Sequence, residues 1–113
     1  MKMKQFLPLV GLCLMLVFGC NGKPERVACN STTPTWNGEV LDIIANSCWA
    51  SNCHGTSASN GDYTTYNGIK PVLLNGKFET EVLDSRRMPR NETFPDSVLA
   101  KLQCWLENGF PES

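Results

Sequence analysis

Cys48-Trp49-Ala50-Ser51-Asn52-Cys53-His54 decides how this chain folds and what it can bind. Two thiols lie five positions apart, and an imidazole directly follows the second. Thiols can add to the two vinyl groups of one haem, and an imidazole can ligate its iron, which is the chemistry of a C-x-x-C-H attachment motif. Four residues separate the cysteines here, where that motif has two. The vinyl carbons are a fixed distance apart, so the two extra residues must bulge away from the porphyrin if both sulfurs are to reach. The adjacency of Cys53 and His54 is kept, and His54 is the only histidine in the chain. A Cys48–Cys53 disulfide beside an incidental His54 is the plain alternative. A zinc site has less in its favour, because four ligands at zinc-like spacing are not present.

Immediately upstream, Val40, Leu41, Ile44 and Cys48 recur at three- and four-residue intervals, and Ile43 adjoins them, so a helix is expected over residues 39–49. Asn37 or Gly38 is its expected cap, and Glu39 and Asp42 lie in the first turn, where the helix dipole favours acids. Residues 21–36 are polar, contain Pro24, Thr32, Thr33 and Pro34, and read as a tether. Further back, Lys2 and Lys4 precede an apolar run over residues 6–18 that is too short to cross a bilayer and suits a signal-peptide core. The run ends in Val17-Phe18-Gly19-Cys20, which resembles a bacterial lipobox, with Cys20 as the lipidated first residue of the mature chain. An ordinary secretory signal or an uncleaved anchor is the alternative. The expected organisation is therefore a signal peptide at 1–19, a lipidated flexible tether at 20–36 and a binding domain at 37–113. The expected location is the bacterial cell envelope, lipid-anchored and facing the periplasm or the outer surface.

Downstream of His54, residues 50–62 turn to Ser, Asn, Gly and Thr and read as loop. A short helix is expected within 63–74, broken or bent near Pro71, and another over 77–83 with Phe78, Val82 and Leu83 on one side. Residues 84–94 form a loop around Met88-Pro89. The strongest element opens at Pro95-Asp96, carries Val98, Leu99, Leu102, Trp105 and Leu106 as a helical stripe, and closes at Asn108-Gly109, with Pro111 beyond. Asn-Gly occurs six times, yet the flanking runs do not alternate with period two, so these pairs read as helix ends and loop turns rather than hairpins. The fold class is all-α.

Met88 is the only methionine beyond the signal segment and stands in Arg86-Arg87-Met88-Pro89-Arg90. Three arginines cannot all be buried with it, so a ligand role is favoured over that of a core gap-filler. A thioether opposite an imidazole raises the potential of a haem iron. From Cys20 onward eight basic residues face eleven acidic ones, a formal charge of −3, with no basic stripe, which argues against a nucleic-acid partner. Ninety-four residues are few for a self-sufficient core, and a disulfide, metal or bulky cofactor usually helps a chain of that size.

Over residues 40–111 the chain resembles the small class I-like c-type cytochromes, in particular short lipoprotein members with a C-x-x-x-x-C-H motif. The likeness is carried by the helix ending in Cys48, by Cys53-His54-Gly55 and by Gly61-Asp62-Tyr63-Thr64-Thr65-Tyr66. Met88-Pro89 and the closing helix with Trp105-Leu106 and Asn108-Gly109-Phe110-Pro111 add to it. The resemblance implies a cytochrome c-like domain whose first and last helices cross at the edge of one covalent haem. It implies thioether anchors at Cys48 and Cys53, proximal ligation by His54, distal ligation by Met88, and aromatic packing by Trp105 where the helices meet. With both axial positions filled it implies an electron carrier rather than an enzyme, serving redox partner proteins, and expected to work as a monomer. Without Met88 on the iron, a five-coordinate sensor or peroxidase-like protein is the alternative; without haem, a disulfide-linked structural lipoprotein. Cys29 and Cys104 remain. If the terminal helices meet, a disulfide between them would staple the tether to the domain, and free thiols are the alternative.

Overall fold

The computed structural model describes residues 24–113; the expected signal segment and Cys20 lie outside the described residues. Every regular element among them is helical, in agreement with an all-α chain. Trp36–Val40 is wound as a π-helix, with the Val40 N–H reaching the Thr35 carbonyl at 3.2 Å, and it runs directly into α1, Leu41–Cys48. α2 spans Tyr66–Leu74, a second π-helical segment spans Glu79–Asp84, and α3 spans Asp96–Glu107.

The first helical run begins earlier than its apolar spacing suggests. Thr35, not Asn37 or Gly38, caps it, with its hydroxyl accepting from the Gly38 N–H at 3.1 Å. Periodicity could not show this, because Trp36, Asn37 and Gly38 present a single apolar side chain. Val40 and Ile44, one helical turn apart, are both fully buried. In α2 the helix passes through Pro71 rather than breaking there. Pro71 withholds one N–H, but Thr65 caps the start through the Gly68 N–H at 3.0 Å, and Ile69 and Leu73 hold the core side. Asn75-Gly76 ends α2, with Gly76 at φ +77°. Asn37-Gly38 and Asn67-Gly68 instead lie inside first turns, so only some of the Asn-Gly pairs mark helix ends.

α3 starts and stops where the sequence places it, closed by Asn108 and by Gly109 at φ +82°. Its inner stripe is Leu99, Leu102 and Trp105. Trp105 is completely buried and gathers the ends of the chain. Its ring packs on Trp36 with centroids 6.2 Å apart, meets Phe78 and Phe110 edge-on, and donates Nε1–H to the Pro111 carbonyl at 3.0 Å. The Trp36 and Asn37 amides donate to the carbonyls of Pro111 and Glu112 at 2.9 and 2.8 Å. The first helical run therefore meets α3 through the Trp36–Trp105 rings, and α3 also packs against the Glu79–Asp84 segment.

Residues 24–36, the described part of the expected tether, are fastened to the domain at several points. Gln103, buried on α3, accepts from the Val27 N–H at 3.0 Å and donates to the Val27 carbonyl at 2.7 Å. Arg26 pairs with Asp84 at 2.6 Å and Glu79 at 3.0 Å. Cys29 is joined to Cys104 by a disulfide, Cα to Cα 5.4 Å. Trp36, placed at the end of the expected tether, is core. Composition reads this strap as loose because the residues that hold Arg26, Val27 and Cys29 are all more than fifty positions away. No helix among the described residues is long and apolar enough to cross a membrane.

Candidate functional site

The Cys48–His54 stretch folds into a tight return. α1 delivers Cys48 at its last turn, and the Cys53 N–H closes a turn onto the Ala50 carbonyl at 2.8 Å. The His54 N–H then reaches back to the Cys48 carbonyl at 2.9 Å. The two residues in excess of the usual spacing are taken up in this turn, so that the imidazole-bearing residue returns beside the first cysteine. Both cysteines are half-buried thiols, unbonded to each other.

A hydrogen-bonded loop follows. Asp62 accepts from the Thr64 hydroxyl and amide at 2.6 and 2.9 Å and from the Ser57 amide at 2.9 Å, which holds its carboxyl below the usual carboxylate range. The Tyr63 N–H donates to the His54 carbonyl at 2.9 Å, and the Trp49 indole N–H donates to the Tyr63 carbonyl at 2.8 Å. This frame sets the His54 ring. Its Nδ1 is 3.0 Å from the Gly61 carbonyl oxygen. A carbonyl can only accept, so Nδ1 is the donor of this bond and Nε2 is the nitrogen left to face a ligand, the orientation that suits a metal-ligating imidazole. The Tyr63 ring lies flat against the imidazole, 3.8 Å between centroids and 4° from parallel.

Cys48, Cys53, His54 and Met88 all line one cavity of about 620 Å³. That volume lies within the range of pockets that enclose cofactor-sized molecules. Val72, Phe78, Val82, Pro89 and Phe94 give it apolar walls, and Lys77, Glu81, Arg87 and Arg90 supply its charges. Met88 is half-buried while Arg86, Arg87 and Arg90 are exposed, and Arg87 is drawn aside to Glu81 at 2.7 Å. The Met88 N–H donates to the Glu81 carbonyl at 3.1 Å, which ties the loop to the second π-helical segment. Burial, the Glu92 carboxylate and the neighbouring Cys53 push the Cys48 thiol up to about 12, so it remains S–H at neutral pH. Burial also raises the Tyr63 phenol, with a smaller contribution from Cys48.

Among the described residues no three His, Cys, Asp or Glu side chains are grouped to hold a bare metal ion. A porphyrin brings four nitrogens of its own and asks the protein only for axial groups. The donor set fits such a group: two unpaired thiols, an imidazole with a free Nε2 and a thioether line one apolar cleft. Cys29 and Cys104 lie outside this cleft, and Cys20 lies outside the described residues. Gly61, Asp62 and Tyr63 carry no role in the sequence reading of the site, although Asp62 two positions before Thr64 is an Asx-turn signal. The stack of Tyr63 on His54 has no local signature, because the two rings are nine residues apart.

The fold and cleft define the class as a small all-α protein with a thiol-, imidazole- and thioether-lined pocket. No family model, curated protein or solved structure matches the chain.

Proposed function

We propose that the chain is a c-type cytochrome, an electron-transfer protein of the bacterial envelope that carries one covalent haem and is anchored by lipid at Cys20. The observation that supports this most is the convergence of Cys48, Cys53, His54 and Met88 on one cavity of about 620 Å³. Cys48 and Cys53 would each add S–H across one vinyl group, with no atom lost. His54 would supply the proximal nitrogen and Met88 the distal sulfur. When bound, the iron supplies the redox chemistry by alternating between its ferrous and ferric states. The residues of the chain would hold and orient the group, and Val72, Phe78, Val82 and Phe94 would give it apolar contact. Redox partner proteins at the membrane would exchange the electron.

The test is a pyridine haemochrome spectrum of the full chain made in cells with a c-type maturation system. Haem that stays with the denatured chain, with the α-band of two thioether links, is the expected result. A band shifted toward a single link means that one cysteine is left unattached. No covalent haem overturns the proposal and favours a disulfide-linked structural lipoprotein.

A further inference from the structure

An imidazole bound to iron through one nitrogen can still rotate about that bond. We propose that Tyr63 is a positioning residue that fixes the plane of the His54 imidazole, and with it the ligand field presented to the iron; this rests on the haem reading above. The Gly61 carbonyl restrains the ring at one atom, Nδ1. The flat stack, 3.8 Å and 4° from parallel, restrains the whole plane, because turning the imidazole by tens of degrees drives its edge into the tyrosine ring.

Tyr63 is itself held from several sides. Its ring is buried, its N–H is bonded to the His54 carbonyl and its carbonyl takes the Trp49 indole proton. Gly61 stands at φ +115°, and a Cβ there would come within 2.9 Å of the Tyr63 ring edge and 3.7 Å of His54 Nδ1. A glycine, an imidazole and a phenol ring thus form one closed unit, in which the hydroxyl takes no part in the stack. A plane held this way would present one fixed imidazole orientation to any iron bound at Nε2.

Electron paramagnetic resonance of the ferric, haem-bearing full chain reads the plane directly, since the g values of low-spin iron depend on axial imidazole orientation. Tyr63→Phe is expected to reproduce the wild-type g values. Tyr63→Leu is expected to retain its haem while the g values shift and the lines broaden. Unchanged g values in Tyr63→Leu overturn the role of Tyr63 alone; a wild-type chain without haem overturns the attachment reading and that role together. Proton NMR of the haem-free full chain tests the stack without a disruptive variant. The His54 ring protons are expected upfield of their free positions in the wild type and in Tyr63→Phe. Wild-type protons at free positions overturn the proposal.

Discussion

Removing the Cys29–Cys104 disulfide by the double substitution Cys29→Ser, Cys104→Ser is expected to destabilise the domain heavily while leaving its binding cleft intact. The crosslink spans 75 positions, nearly the whole described chain. Chain-entropy arithmetic for a loop of that size gives about 4.5 kcal/mol at 25 °C, drawn from the unfolded state. The folded state has other ties to the strap. Gln103 keeps both bonds to Val27, and Arg26 keeps Asp84 and Glu79, although the latter pair is half-exposed and worth little. The native geometry therefore persists, and the expected loss is roughly 3–5 kcal/mol, a large part of the total for a domain of this size. Urea titration followed by far-ultraviolet circular dichroism measures it, with a fall in Tm of roughly 15–30 °C alongside. Neither cysteine lines the cavity, so the visible spectrum of the folded variant should match the wild type. A loss under about 1 kcal/mol would show that the other ties or residual unfolded structure outweigh the crosslink.

Met88→Ala is expected to let the reduced, haem-bearing chain bind carbon monoxide and to lower its potential; equal binding by the wild type would remove Met88 from the iron. Gly68→Ala should cost about 3 kcal/mol in denaturant midpoint measurements, because its Cβ would run into the Asp62 carbonyl oxygen; a neutral result would place that carbonyl elsewhere. The lowered Asp62 carboxyl gives stabilisation that is present above its unfolded value of about 3.9 and lost as pH falls through the lower folded value. The protection factors of the Ser57 and Thr64 amides should therefore still hold at the ordinary carboxylate value of about 3.9 and fall only at lower pH, whereas Asp62→Ala should show no such step.

Much of the helix inventory was legible because it rests on local signals. The stripe through Leu99, Leu102 and Trp105 and the Asn108-Gly109 stop place α3 to the residue, and Ser, Gly and Asn over 50–62 mark the loop. The adjacency of Cys53 and His54 is legible in the same way, since a covalent neighbour needs no fold to bring it near. What the sequence left open depends on partners far away. A polar strap becomes fixed only because Gln103, Cys104 and Asp84 lie under it. Trp36 becomes core only because Trp105 and the Pro111 carbonyl meet it. Thirty-four residues separate Met88 from His54, and no pattern in the chain states that they line one cavity; the loop tied to Glu81 brings Met88 to it. Helix periods and turn residues act over one or two turns of chain and can be read in order, whereas a cavity is assembled from side chains whose proximity exists only after the chain has closed on itself.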